Sequence, residues 1–214
     1  DVTLSRGNGA TGPARLQSFE AHRRAVEVLV GGLKEWRNWY LDLGNERNVR
    51  DARFVSIEEL AKLREVARRM DGKRLITASH AGGELSKEEL GEYLKVVGVD
   101  FVSVHRPRGR GTAEKTERKA REMVKWMEEL GRVVPLQFDE PFRRGYAGWE
   151  PKAEDFVVDL KGAKVGGAAG WCFHNGQQGD GKAGARRSFD VSEKGLFEQL
   201  DDEERKLLKV VGSQ

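Results

Sequence analysis

Short apolar runs alternate with longer stretches of helical periodicity along the chain. Val2-Thr3-Leu4 opens as a strand. Residues 16–36 read as a helix, because Leu16, Phe19, Val26, Leu29, Val30 and Leu33 recur at helical spacing. Residues 38–43 form the next apolar run. Ser56 then caps a helix, with Glu59 three residues on in a capping-box pattern, and Met70-Asp71-Gly72 ends it. Residues 75–78 are a strand. Ser86 and Glu89 repeat the capping-box pattern, and that helix stops at Gly98. Residues 101–104 are a strand, followed by a helix through Met123, Met127 and Leu130 that ends at Gly131. Residues 133–138 are the next strand, although Pro135 removes one ladder donor. Pro151 sits in the first turn of a helix to about residue 164. Residues 168–173 are the last strand, and residues 192–211 a closing helix.

Strands alternating with helices imply a parallel sheet with right-handed crossovers. Glu46, His80, His105, Glu140 and Trp171 each stand at or near a strand end. They recur about every 31 residues, the length of one unit in a barrel of about 250 residues. An open sheet could carry the same period. No glycine-rich phosphate loop follows the first strand, since Gly7-Asn8-Gly9 does not complete the G-x-G-x-x-G pattern. The expected fold class is therefore α/β, of the (β/α)8 barrel type, as a single domain over residues 1–214.

Composition narrows the class further. The chain has 214 residues, of which 38% are hydrophobic, with 26 glycines. That allows a sizeable core and excludes a disordered, collagen-like or coiled-coil chain. No apolar run approaches the roughly 20 residues of a membrane helix, so no membrane partner is expected. Lysine and arginine total 38 against 35 acidic residues, a net charge of +3. Basic residues cluster at 106–110 and 143–144 but form no stripe, which argues against nucleic acid as a partner. Cys172 is the single cysteine, so no internal disulfide can form. No signal-like segment opens the chain at Asp1, and the compartment and oligomeric state are not readable.

The chemistry-bearing residues gather at one end of the strands. Parallel strands put their C-terminal ends on one face, where ligands bind in this class. Of four histidines, His80, His105 and His174 each follow a strand, while His22 lies in a helix. Glu46 and Glu140 each close an apolar run. Two such carboxylates facing across a pocket can split their pKa values, one serving as proton donor and the other as nucleophile. They could equally be rim ion pairs with Arg47, Arg50, Arg143 and Arg144 nearby in sequence. Trp171 near the last strand end, and Trp149 in the loop after Glu140, could stack on a sugar ring or simply pack. Trp36, Trp39 and Trp126 read as core. The glycine-rich residues 177–187 read as a surface loop near the pocket mouth.

The segment Trp39-Tyr40-Leu41-Asp42-Leu43-Gly44-Asn45-Glu46 resembles the fourth strand of clan A glycoside hydrolases, which include the cellulase-like family 5 enzymes. Those enzymes carry Asn-Glu at that strand end. Glu140, about three units later, is similar to their second glutamate after strand seven. Trp171 is similar to their tryptophan after strand eight, and His105 to a His or Tyr position after strand six. The resemblance implies that Val2-Thr3-Leu4 is strand three and that two further units, with an Arg on strand two, belong before it. Ser5-Arg6 stands where many relatives have a histidine.

What the resemblance implies is hydrolysis of a β-glycosidic bond with retention, in an oligosaccharide or polysaccharide. Glu140 would be the nucleophile and Glu46 the acid/base. Asn45 would bind the sugar 2-hydroxyl, His105 would orient Glu140, and Trp171 would stack under the sugar. His80 and His174 would bind hydroxyls. Asp139 should point away from Glu140 by strand alternation. No metal or organic cofactor would be required. Two other readings stay open. The same Glu and His residues are good metal ligands for a metal-dependent barrel enzyme, and a barrel can bind carbohydrate without turning it over.

Overall fold

The computed structural model describes residues 2–4, 16–49, 53–81, 85–107, 109–142, 144, 149–174 and 189–212. The Gly7-Asn8-Gly9 cluster, Ser5-Arg6 and the loop at 177–187 lie outside the described residues. The chain divides into two compact units, Asp1–His105 with Lys125–Leu136, and Arg106–Val124 with Gln137–Gln214.

In the first unit, parallel pairing joins β1 (Val2–Thr3) to β2 (Leu41–Asp42) and β2 to β3 (Ile76–Thr77). The expected strand at 75–78 breaks at Ala78. Its continuation, β4 (Ser79–His80), pairs in parallel with β5 (Val102–His105). All four residues of β5 are buried, as a parallel strand covered on both faces requires.

Helix α1 (Phe19–Gly32) buries His22, Val26 and Val30, one face at four-residue spacing, and packs on α2 (Ile57–Met70). It ends at Gly32, before the expected limit at 36. Trp36 consequently lies outside the core and is 64% exposed. Trp39 is half-buried under the Arg74 guanidinium, 3.8 Å from its ring centroid. The two capping-box sequences differ. Ser86 and Glu89 form the reciprocal box at the start of α3 (Lys87–Glu92). Ser56 accepts from the Glu59 N–H at 3.2 Å, but the Glu59 carboxylate accepts from Arg53 at 2.6 Å. A competing cation has taken half of that box.

After α3 the chain widens into a π turn, Tyr93–Val97, before Gly98 stops it at φ +76°. That turn buries Tyr93, Leu94 and Val97. Arg132 donates to the carbonyls of Leu94, Gly98 and Val99, which lack helical partners at this end. Helix α4 (Thr116–Glu129) begins in the second unit and ends in the first.

In the second unit β6 (Leu136–Glu140) pairs in parallel with β7 (Gly170–Trp171), with Phe138 opposite Trp171. Helix α5 (Ala153–Val165) begins two residues after Pro151, which sits just before the N-cap rather than in the first turn. The closing segment is not one helix. It is a 3-10 turn, Leu196–Glu198, and then α6 (Asp202–Gly212). Ala113, Phe142, Trp149, Ala153, Phe156 and Leu207 form the core of this unit. Each large side chain fully buried there contributes about 1.5–3 kcal/mol. No helix among the described residues is long and apolar enough to cross a membrane.

Candidate functional site

In the first unit the site is built on the turn that follows β2. Asn45 and Glu46 lie in that turn, and consecutive backbone N–H groups find acceptors on β2, on Leu4 just past β1, and on β4. Gly44 N–H donates to Asp42 Oδ1 at 3.1 Å, and Asn45 N–H to Leu4 O at 2.9 Å. Glu46 N–H donates to Ser79 Oγ at 3.0 Å. Glu46 itself adopts φ +48°, the only positive φ among the described non-glycine residues. Left-handed backbone costs a non-glycine residue roughly 1–2 kcal/mol and persists where its surroundings over-determine it.

The Glu46 carboxylate meets His105 at the end of β5, with Oε1 3.0 Å from Nδ1. The resemblance gave His105 to Glu140; within its own unit its carboxylate partner is Glu46. Glu46 is half-buried and His105 is buried. A carboxyl oxygen and an imidazole nitrogen at this distance are within hydrogen-bond reach, the geometry that a proton-transfer pair requires.

His80 lies beneath the turn rather than on its surface, at 3% exposure. Its Nδ1 meets the Tyr93 hydroxyl at 3.2 Å. Asn48 fixes the other nitrogen. Its Oδ1 accepts from Ala81 N–H at 2.8 Å, so its amide nitrogen is the group 3.4 Å from His80 Nε2. Burial holds the His80 pKa below its ordinary value, so the ring is neutral at pH 7. This placement gives His80 a supporting part. Arg47, adjacent to Glu46, is also buried. It donates to Tyr93 Oη at 3.1 Å and pairs with Glu92 at 3.6 Å.

His22 supports the turn from α1. Arg53 donates to His22 Nδ1 at 3.2 Å, so Nδ1 carries no proton and Nε2–H donates to Leu43 O at 2.7 Å. Sequence reasoning left His22 as a helix residue and passed over Asp42, Ser79 and Tyr93. One signal was available, since Asp42 is a charged residue inside an otherwise apolar strand sequence.

The second unit carries Glu140, Trp171 and His174. Glu140 ends β6 half-buried, with Oε2 3.8 Å from His174 Nδ1. The preceding Asp139 is buried and accepts from Gln137 Nε2, two residues away on the same side of the strand. Trp171 is half-buried. Its indole N–H donates to Asp159 Oδ2 at 2.6 Å, and its ring lies within 7° of parallel to Phe173. Burial pushes the Asp159 pKa up, and the hydroxyl of Thr116 and the indole act against that rise. Trp149 is in the core, 4.9 Å from Phe142 between ring centroids. Arg144 pairs with Asp201 and Glu204.

No protein-family model matches the chain. No curated protein matches it in sequence. Solved structures do resemble it. An endo-1,4-beta-D-mannanase from Thermotoga petrophila matches with a TM-score of 0.52 at 13% identity, over 72% of this chain and 53% of that one. XacCel5A in complex with cellopentaose matches with a TM-score of 0.52 at 15% identity, over 86% of this chain and 69% of that one. A truncated 3-deoxy-D-arabino-heptulosonate 7-phosphate synthase from Thermotoga maritima reaches 0.48 at 16% identity, over 92% of this chain and 60% of that one. The chain spans about half the length of the mannanase. At these identities the likeness concerns the fold alone. Together with the parallel pairing, it fits an α/β-barrel type of fold.

Proposed function

We propose that residues 1–214 act as a glycosidase-like barrel domain that cleaves β-glycosidic bonds with retention. One observation carries the reading. Glu46, at a strand end after Asn45, is held in a left-handed turn with its carboxylate on His105 at 3.0 Å. The mannanase and cellopentaose-bound neighbours add a carbohydrate precedent for the fold.

In the proposed reaction Glu140 attacks the anomeric carbon while Glu46 gives its proton to the departing oxygen. The bond to the leaving group breaks, and a glycosyl ester forms on Glu140. Glu46, now a carboxylate, takes a proton from water. The oxygen of that water bonds to the anomeric carbon and frees Glu140. Asn45 binds the 2-hydroxyl, Trp171 stacks on the sugar, His174 binds a hydroxyl, and His105 orients the acid/base. The substrate is an oligosaccharide or polysaccharide.

The test uses aryl β-glycosides with good and poor leaving groups. Glu140→Ala should abolish turnover. Glu46→Ala should lose about 10²–10⁴-fold on poor leaving groups and recover with azide. Full activity in either variant rejects the roles. Activity that tracks a stoichiometric metal and disappears with a chelator favours the metal-dependent reading instead. Oligosaccharide binding without product favours a binding barrel.

A further inference from the structure

The proposed reaction leaves two buried carboxyl groups of the first unit unused, Asp71 and Asp42, and only Asp42 lies beside the Glu46 turn. Asp42 is 2% exposed and sits in β2, four residues before Glu46. Burial raises its pKa, and hydrogen bonds from Ser79 and Gly44 oppose the rise. Its oxygens are crowded with donors. Oδ1 accepts from Gly44 N–H at 3.1 Å and Ser79 N–H at 3.0 Å. Oδ2 accepts from the Ser79 hydroxyl at 2.6 Å and the Thr3 hydroxyl at 3.3 Å. The Ser79 hydroxyl therefore spends its proton on Asp42. Its oxygen faces the other way and accepts the Glu46 N–H at 3.0 Å.

That geometry forms a relay of two links. Asp42 fixes the direction of the Ser79 hydroxyl, and the hydroxyl fixes the backbone of Glu46. A freely rotating serine could donate or accept at any neighbour; one whose proton is committed can only accept. The accepting lone pair then selects the backbone orientation that aims the Glu46 N–H at it. The same Asp42 carboxyl holds Gly44 N–H, so the turn is gripped at two of its N–H groups by one side chain and its partner. A left-handed Glu46 is otherwise unfavourable, and the side chain that reaches His105 departs from this backbone.

We propose that Asp42 and Ser79 are positioning residues that set the backbone of Glu46, so that its carboxyl meets His105 and the substrate in register. This rests on the acid/base reading of Glu46 for its consequence, but the tether itself does not.

The experiment therefore has two readouts on the wild type, Ser79→Ala, Ser79→Thr and Asp42→Asn. The first is amide hydrogen exchange at Glu46, which needs no substrate. Ser79→Ala should speed exchange at Glu46 roughly tenfold, the equivalent of one hydrogen bond, while the amides of α2 keep their protection. Ser79→Thr, which keeps the hydroxyl, should restore it. Asp42→Asn removes half the acceptors of Ser79 and should give an intermediate increase. Unchanged exchange at Glu46 in Ser79→Ala overturns the proposal, whatever the chain catalyses.

The second readout is turnover of the same aryl β-glycosides. Ser79→Ala should lose about tenfold or more in kcat/KM on the poor leaving group, where acid assistance to departure matters. It should lose little in kcat/KM on a good one, because kcat/KM reports the departure step and not the water step that also uses Glu46. Equal losses on both substrates would mark Ser79 as structural only and overturn the positioning role. If the wild type turns over neither substrate, the glycosidase reading fails separately, and the exchange result still decides the tether.

Discussion

Replacing Tyr93 by Phe removes one oxygen atom from the support beneath the Glu46 turn and leaves the ring in place. The hydroxyl is the meeting point of two buried groups, Arg47 Nε at 3.1 Å and His80 Nδ1 at 3.2 Å. Tyr93, His80 and Arg47 are all buried. The variant creates no cavity to speak of, and the ring keeps its place against the Arg47 guanidinium, 5.4 Å from the centroid. Its cost comes from two polar nitrogens left without an acceptor or donor. Each such group costs about 1–3 kcal/mol, and the loss of one hydroxyl desolvation offsets part of it. The net expectation is a destabilisation of about 2–3 kcal/mol. At about 2–4 °C per kcal/mol for a chain of this size, Tm should fall by roughly 4–12 °C. Urea unfolding at pH 7 measures it. A second readout is the alkaline titration followed by tyrosinate absorbance. Burial pushes the Tyr93 pKa up to about 12. An unfolded tyrosine titrates near 10, so the folded state holds this proton more tightly. The stability it contributes is fully present below about pH 10 and is lost as pH rises towards about 12. The variant should lack both the late absorbance step and that slope. A loss under about 0.5 kcal/mol, or a late step that survives the substitution, refutes the reasoning.

Arg74 ties the loop after α1 to the sheet. It is buried, donates to the carbonyls of Trp39 and Trp36 at 3.0 and 2.8 Å, and pairs with Asp71 at 3.1 Å. Arg74→Met leaves those carbonyls without their donor and removes one of two arginines from the Asp71 carboxylate, which keeps Arg37 at 2.8 Å, and should cost about 2–4 kcal/mol in denaturant unfolding; under 1 kcal/mol would sink the account. Two glycines provide a contrast by calorimetry. A Cβ on Gly166 would lie 2.5 Å from Ala120 Cβ and 2.8 Å from Glu117 O, so Gly166→Ala should destabilise by about 1–3 kcal/mol. A Cβ on Gly32 meets nothing within 4 Å, so Gly32→Ala should be neutral or stabilise by up to about 1 kcal/mol. Equal effects at the two positions would contradict the packing.

The order of strands and helices was legible because burial imposes a period on the sequence. Element ends were not, because tertiary partners decide them. Ser56-x-x-Glu59 and Ser86-x-x-Glu89 are the same signal, yet Arg53 diverts Glu59 and nothing diverts Glu89. Residues 93–97 continue a helical pattern, and the pattern alone does not distinguish α from the wider turn that buries Tyr93. The break at Ala78 is likewise invisible in an apolar run, because it is set by which strand lies on either side. Trp36 shows the opposite error, in which a hydrophobic residue was given to the core by type although its helix had already ended at Gly32.

The site divides along the same line. Glu46 stood out because a charge closing an apolar strand needs a reason, and the contact with His105 supplies one 59 positions away. Asp42 offered the same argument more strongly, as a charge inside the strand, but strand alternation makes such a residue look like an outward-facing surface group. Only the parallel neighbours show otherwise. Ser79 lies 37 positions on, and two of the four hydrogen bonds on the Asp42 carboxyl come from it. A left-handed glutamate has no local sequence cause, since asparagine is the residue that tolerates that backbone and it stands one place earlier, at Asn45. The conformation follows from the acceptors that surround Glu46. The chemistry at this strand end is therefore a property of β1, β2 and β4 acting together, and no single segment of the sequence encodes it.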